Sequence, residues 1–340
     1  GGVRWGIKSE FLEDVFTTND YAYTPGGKAI NDPPVTPYLI TEFAGCLANV
    51  WQISTTQTHI EYAMLHARIM DAICGHEKVS GGIGWCAFDY HSQDWLTTDG
   101  IQPWGLMDPF RAPKLAAGIY ASQVDPSVRP VLQAMTRWKV GDQAGFDPNE
   151  TVMKEGHDSP LVVFSNCDRI EVKIGGKLCG SFEPDRKVFP HLKYPPFFCT
   201  NLGHIWGPSW LDLQITGYLG KKRVIEHKFP ASQEANVLEM TIDDKELIAD
   251  GSDMTRILLR HTDEYGNQQP HSRLAVTLEL HGPGTLIGPN PCALVGGVAG
   301  LYLRAGKEVG TVTVTARAPS MQTRQTVKIK IKKEKRKASF

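Results

Sequence analysis

The sequence predicts a multidomain protein in which an α/β segment precedes all-β domains. Two observations lead to this fold class. Up to about residue 125, apolar β-rich runs surround a segment with helical periodicity, which is typical of parallel strands with covering helices. From residue 130 onward, strand patterns follow one another through short turns, and a linker at residues 230–235 separates two such all-β blocks.

In the α/β segment, strands are predicted over residues 14–18, 38–43 and 82–88. A helix is predicted between the second and third strands, because its apolar residues recur at spacings of three and four. These residues are Ile60, Ala63, Met64, Ala67, Met70 and Cys74. A second helix is expected to open at Pro113 and to run through residues 114–122, since proline suits the first turn of a helix.

In the all-β blocks, residues 170–174 and 177–182 predict a hairpin whose two-residue turn is Gly175-Gly176. Residues 211–218 and 223–229 alternate between apolar and polar side chains, as a half-buried strand pair requires. Four further strands, spaced as in an immunoglobulin-like sandwich, are predicted over residues 237–242, 255–261, 275–281 and 311–316.

The composition limits the classes of partner. Of the 340 residues, 41% are hydrophobic and 21% are charged, which is typical of a globular protein with two or three domains. The 36 Lys and Arg residues nearly balance the 37 Asp and Glu residues, so no net field attracts nucleic acid or an anionic membrane surface. There is no apolar run of about 18 residues. We therefore expect neither a nucleic-acid partner nor a membrane partner.

The seven cysteines are odd in number, and none belongs to a C-x-x-C pair. This pattern argues against a zinc knuckle or a complete disulfide framework, so unpaired thiols favour the cytoplasm. A periplasmic or secreted location stays open if a longer parent carries a signal peptide, because the chain begins without Met. His59 and His66 lie on one helix face without a third ligand, and we predict no metal and no cofactor.

Two candidate site residues lie near the carboxyl ends of predicted strands. Glu42 lies next to the end of the run Pro37-Tyr38-Leu39-Ile40-Thr41-Glu42-Phe43, at the edge where parallel barrels build their active sites. Trp85 follows Gly81-Gly82-Ile83-Gly84 and could offer an apolar surface to a sugar ring. Taken singly, a solvated Glu and a core Trp are the more ordinary interpretations.

Taken together, these motifs resemble a known family. The order Thr41-Glu42-Phe43, then G-G-I-G-W-C-A-F-D-Y, then G-L-M-D-P-F-R-A-P-K-L-A-A resembles the end of the catalytic barrel in family 2 glycoside hydrolases, especially bacterial β-galactosidases. The resemblance covers residues 11–327. It implies a partial (β/α)8 TIM barrel at 1–125, immunoglobulin-like β-sandwiches at 126–230 and 236–332, and a basic tail at 333–340.

The resemblance also implies roles for individual residues. Glu42 matches the nucleophile of a retaining exo-β-glycosidase that hydrolyses terminal β-galactosides. Tyr21, in Asn19-Asp20-Tyr21, matches the catalytic Tyr that hydrogen-bonds that nucleophile, and Asn19 of the same stretch is a candidate for binding substrate. Trp85 matches the sugar platform. Asp89 and His91 lie in the adjoining loop, where each is a candidate for binding substrate or for a structural role.

One catalytic group of the family pattern is missing from the sequence. The acid/base Glu of the family follows an Asn on an earlier strand, whereas Asn149-Glu150 here lies in a turn rich in Pro and Gly. About 125 residues cannot close a barrel that needs about 250. We therefore expect a fragment, inactive in isolation, whose partner is the N-terminal portion of the same enzyme or another chain. A homo-oligomer is also left open.

The competing hypothesis is a non-catalytic structural or carbohydrate-binding fragment. Trp206 and Trp210 could stack on sugar rings at the rim of a β-sandwich, although a core or interface role is the more ordinary one.

Overall fold

The computed structural model describes residues 14–24, 26–45, 56–91, 100–138, 160–202, 211–231, 237–269, 272–321 and 323–333. The described residues are mostly strands with few helices. They form two compact units, Gly1–Ala231 and Ser232–Phe340. None of the described helices is both long enough and apolar enough to cross a membrane.

The first unit begins with three parallel strands, β1 (Phe16–Asn19), β2 (Tyr38–Phe43) and β3 (Val79–Gly84), in the order β1-β2-β3. Helix α1 (Thr56–Gly75) connects β2 to β3, as parallel neighbours require a crossover. The predicted helix is confirmed, and one of its faces packs on the sheet. The core between them contains Tyr38, Ile40, Phe43, Leu65, Ile69 and Ile73.

Two predicted elements of this segment are wrong in their extent. The third strand ends at Gly84 rather than at residue 88, because the next residues leave the sheet and bond to a later loop: Leu106 N donates to Cys86 O at 3.0 Å. The helix expected over residues 114–122 is a 3-10 turn, Leu115–Ala117, followed by the short α2 (Gly118–Ala121). The described residues contain no closed barrel.

The first unit continues with β-structure. Its strands, in chain order, are β4 (Tyr90–His91), β5 (Ile101–Gln102), β6 (Leu132–Ala134), β7 (Leu161–Ser165), β8 (Arg169–Ile174), β9 (Lys177–Phe182), β10 (Phe197–Cys199), β11 (Leu213–Leu219) and β12 (Lys222–Phe229). They form a small β4-β5 pair and two antiparallel sheets, ordered β10-β7-β6 and β12-β11-β8-β9. The predicted β8–β9 hairpin is confirmed, with Gly175 and Gly176 at φ +57° and +80° in its turn.

Strand β7 explains how these layers stack, because all five of its residues are buried. On one side, Val162 and Phe164 pack with the helices α1 and α2. On the other side, Leu161 and Val163 pack with residues of β8 and β11. A strand buried on both faces, such as β7, has a continuous apolar sequence. In β8, buried residues instead alternate with more exposed ones, because one of its faces is more open.

The second unit is a β-sandwich. Its strands are β13 (Val237–Ile242), β14 (Glu246–Ile248), β15 (Met254–Thr262), β16 (Ala275–His281), β17 (Gly284–Ile287), β18 (Cys292–Ala293), β19 (Val298–Ala305), β20 (Gly310–Ala318) and β21 (Thr323–Lys332). The two sheets are ordered β13-β15-β19-β17 and β14-β21-β20-β16-β18. Leu259 and Leu303 of the first sheet share a core with Val314 and Ile329 of the second. All four strands predicted in this block are confirmed, with small shifts at their ends.

Candidate functional site

Glu42 lies at the carboxyl end of β2, where a register shift in the β1–β2 pair sets Asn19 opposite it. The Asn19 amide Nδ2 donates to Glu42 Oε2 at 2.9 Å. The Thr41 hydroxyl donates to Asn19 Oδ1 at 3.1 Å, which fixes the orientation of the amide. The backbone N–H of Asp20 donates to Glu42 O at 2.8 Å, so the two strand ends are tied together by backbone as well as by side chains.

The second oxygen of the Glu42 carboxylate, Oε1, accepts a hydrogen bond from the hydroxyl of Tyr21. Burial raises the pKa of Tyr21 above its usual value, and the hydrogen bond to Glu42 raises it further. The phenol therefore stays protonated at neutral pH and keeps its proton to donate. Asn19, at the end of β1, and Tyr21, in the loop that follows, thus hold both carboxylate oxygens of Glu42.

The loop that carries Tyr21 is fixed by Asp20, which is 2% exposed. Its carboxylate accepts hydrogen bonds from the backbone N–H groups of Ala22 at 3.0 Å and Asn31 at 2.7 Å. A buried carboxylate with such donors holds the backbone on both sides of Tyr21. Asp20 therefore supports the site without touching Glu42 through its side chain.

Gly45 shows that Trp85 lies beside Tyr21. A Cβ atom added at Gly45 would lie 2.8 Å from the Tyr21 hydroxyl oxygen and 3.2 Å from Trp85 Cδ1. The indole and the phenol thus approach the same point, and the absence of a side chain at residue 45 leaves room for both. Trp85 also continues the sheet, because its N–H donates to Phe43 O at 2.8 Å. The structure therefore brings Glu42, Tyr21, Asn19 and Trp85 together.

The two remaining candidates differ from each other. The Asp89 side chain is 7% exposed, and its Oδ1 accepts from Lys114 Nζ at 2.6 Å and from Gly105 N at 2.8 Å. Burial raises the pKa of Asp89, and Lys114 opposes that rise. These contacts favour the structural role, in which Asp89 braces the loop. His91 is exposed on β4, opposite Ile101 of β5. Substrate binding by either residue stays a prediction.

Sequence reasoning missed two residues that organise this region. Lys114 is the partly buried partner of Asp89, and the hydroxyl of Tyr62 on α1 lies within hydrogen-bond distance of two loop carbonyls. Nothing in the pattern around Tyr62 distinguishes it from an ordinary core aromatic residue. Its contacts depend on a loop 42 residues further along the chain.

No cluster of three His, Cys, Asp or Glu side chains suited to a metal ion occurs within the part of the chain that the structure describes. His66 is buried in the core, with Nδ1 2.9 Å from the Tyr120 hydroxyl. Asn149-Glu150, Trp206 and Trp210 lie outside the described residues.

The arrangement around Glu42 suits one kind of chemistry. A carboxylate whose two oxygens are oriented by donors can attack an electrophilic carbon or stabilise a developing positive charge. An aromatic ring beside it can support the apolar face of a ring-shaped substrate.

The chain is similar to known glycosidases. Residues 238–327 match the family model described as glycoside hydrolase family 2 C-terminal domain 5. A β-galactosidase of Thermoanaerobacterium thermosulfurigenes is 35% identical over 312 residues, which cover 87% of this chain and 42% of that protein. The chain thus spans less than half the length of this relative.

A second curated relative is matched over most of its length. A β-galactosidase of Rhizobium radiobacter is 35% identical over 111 residues, which cover 33% of this chain and 80% of that protein. A solved β-glucuronidase from glycoside hydrolase family 2 shares the fold with a TM-score of 0.60 at 19% identity, over 87% of this chain and 32% of its own. The chain belongs to glycoside hydrolase family 2.

Proposed function

We propose that this chain supplies the nucleophile side of the active site of a retaining exo-β-glycosidase that hydrolyses terminal β-galactosides. The observation that carries the proposal is the Glu42 carboxylate, held on one oxygen by Asn19 and on the other by Tyr21, with Trp85 beside it. The substrate class rests on the 35% identical relatives, which are β-galactosidases.

In the proposed mechanism, Glu42 attacks the anomeric carbon and forms a covalent glycosyl-enzyme. A second carboxylic acid, about 5 to 5.5 Å away in retaining enzymes, protonates the departing oxygen and later activates the water that releases the sugar. Asn19 and Tyr21 hold Glu42 in line for attack, and Trp85 stacks on the sugar. In this mechanism Glu42 acts only as the nucleophile, and the second carboxylic acid carries out the proton transfers.

We further propose that β1, β2, α1 and β3 form part of a (β/α)8 barrel. The proton donor would then lie in the remainder of the enzyme, either upstream in the same polypeptide or on another chain. The blocks at 126–230 and 236–332 would be immunoglobulin-like sandwiches attached to that barrel. Support comes from the crossover of α1 between parallel strands and from the 42% coverage of the Thermoanaerobacterium relative.

The test uses this chain joined to the part of the Thermoanaerobacterium relative that the match leaves uncovered. Glu42→Ala should lower turnover of a dinitrophenyl β-galactoside by at least about 10⁴-fold, because the covalent step loses its nucleophile. Added azide should restore turnover and yield the α-galactosyl azide, since azide then attacks from the side that Glu42 vacates. The product is identified by NMR.

The matched control is Glu77→Ala, which removes an exposed carboxylate just beyond α1 and should leave turnover unchanged. If Glu42→Ala keeps its activity, Glu42 is not catalytic. If azide instead yields the β-galactosyl azide, Glu42 acts as the acid/base and the proposed assignment is wrong. A joined protein that folds but never hydrolyses galactosides contradicts the substrate assignment.

A further inference from the structure

The hydroxyl of Tyr62 contacts the backbone of Trp85, the proposed sugar platform, and the backbone of a later loop. Tyr62 lies on α1 and is 2% exposed. Its hydroxyl oxygen lies 2.9 Å from the carbonyl oxygen of Trp85 and also within hydrogen-bond distance of the carbonyl oxygen of Trp104. The single proton of this phenol is therefore shared between two backbone carbonyls that are 19 residues apart in sequence.

The two carbonyls belong to the ends of a series of three aromatic rings. The ring centroids of Trp85 and Tyr90 are 5.8 Å apart, and those of Tyr90 and Trp104 are 6.1 Å apart. Both pairs meet edge to face, with interplanar angles of 83° and 85°. Edge-to-face contacts of this kind fix the rings relative to one another. Tyr62 fixes the backbone at both ends of the series.

The position of the Trp85 carbonyl matters because the chain leaves the sheet at this residue. Trp85 N–H still bonds to Phe43 O of the sheet, whereas Cys86 O accepts from Leu106 N of the later loop. The far end of the same loop is braced by the ion pair between Asp89 and Lys114. Between these anchors, the Trp85 indole lies beside Tyr21.

We propose that Tyr62 is a positioning residue that holds the Trp85 indole in place for sugar stacking. Tyr62 is buried and acts through the Trp85 and Trp104 carbonyls, not by touching substrate. The proposal rests on the proposed function, in which Trp85 is the sugar platform. Stacking contributes equally to the bound substrate and to the transition state, so its loss should raise KM and leave kcat nearly unchanged.

The first test measures kinetics in the same joined enzyme as above. Tyr62→Phe keeps the ring and removes only the hydroxyl, and KM for an aryl β-galactoside should rise by about five- to tenfold, as for the loss of one buried hydrogen bond. The matched control is Tyr120→Phe, which removes the hydroxyl of a partly buried tyrosine, one bonded to His66 rather than to a loop carbonyl. The control should change KM by less than about twofold.

A double-mutant cycle then separates positioning from general destabilisation. If Tyr62 acts through Trp85, then adding Tyr62→Phe to Trp85→Ala should raise KM no further. If the fold-changes in KM of the two substitutions instead multiply in the double variant, the proposal is overturned. A fall in kcat of Tyr62→Phe without a change in its KM would also overturn it. Equal effects of Tyr62→Phe and Tyr120→Phe would also overturn it, since they would indicate only a loosened core.

A second readout does not depend on activity. The readout is acrylamide quenching of tryptophan fluorescence in the 340-residue chain. The quenching due to Trp85 is the quenching measured for the chain minus that measured for its Trp85→Phe variant. Tyr62→Phe should raise that contribution by about twofold or more, and Tyr120→Phe should not. If galactosides are not hydrolysed but this difference is found, the proposed function fails while the positioning contact stands. If the difference is absent, the positioning proposal fails by itself.

Discussion

The Tyr21 hydroxyl reaches Glu42 because several residues fix a short loop. Asp20 binds the backbone on both sides of Tyr21, and Asn19 lies opposite Glu42 in the paired strands. The family resemblance singles out Asn19-Asp20-Tyr21 in the sequence, but it assigns no role to Asp20. Its role depends on the N–H of Asn31, 11 residues further on, which only the folded loop brings near.

At this residue scale, Tyr21→Phe should lower kcat in the joined enzyme by about 10- to 100-fold with little change in KM. The variant keeps the ring but removes the donor that orients Glu42. Because the pKa of Tyr21 is raised, the phenol remains a donor throughout the neutral range, and the deficit should be constant between pH 6 and 8. Steady-state kinetics across this range measures it.

Tyr23→Phe serves as the control, since its hydroxyl is not a partner of Glu42 among the described residues. Unchanged kcat in Tyr21→Phe would show that Asn19 alone suffices to orient Glu42.

At the scale of elements, α1 has a buried histidine whose charge state affects stability. His66 is fully buried, and burial lowers its pKa to about 3 from a usual value near 6.5. Between these two values the unfolded chain binds a proton that the folded chain does not. Stability contributed by the neutral His66 is therefore present above pH 6.5 and is lost as the pH falls toward 3.

The expected slope from this one residue is about 1.4 kcal/mol of unfolding free energy per pH unit below pH 6. Urea unfolding of the 340-residue chain at pH 7, 6 and 5 measures the slope, and His66→Gln should reduce it by that amount. His281→Gln, which changes an exposed histidine on β16, should leave the slope unaltered. Identical slopes in the chain and in His66→Gln would contradict the burial argument.

The helices and strands also show which elements an apolar sequence pattern can predict and which it cannot. The helical periodicity of the sequence is sufficient to predict α1, because one long face of this helix packs on β2. The apolar run from Gly82 to Phe88, by contrast, does not continue as a strand. Phe88 pairs with Met107 of a later loop instead of extending β3. Apolar character predicts that residues are buried, but it does not say which neighbour buries them.

At the scale of the whole molecule, the sandwich Ser232–Phe340 has its own core, and we expect it to fold alone. Leu303→Ala should lower its unfolding free energy by about 2 to 5 kcal/mol, because it empties a fully buried site. Tyr302→Ala, on the adjacent residue but 39% exposed, should cost less than about 1 kcal/mol. Urea denaturation of the expressed unit compares them, and equal losses would be inconsistent with this core.

By itself, the sequence determined the family, the helix α1, four of the strands of the second unit and the identity of Glu42 as the candidate nucleophile. Periodicity and motif order suffice for these, because they depend on local patterns and on the order of residues along the chain. The tertiary structure decided which groups meet: Asn19 and Tyr21 on Glu42, Trp85 beside Tyr21, Asp89 against Lys114, and Tyr62 against the backbone of Trp85 and of a later loop. These contacts join residues 21 to 64 positions apart in the sequence. The packing of strands and loops brings such residues together, and no local pattern does.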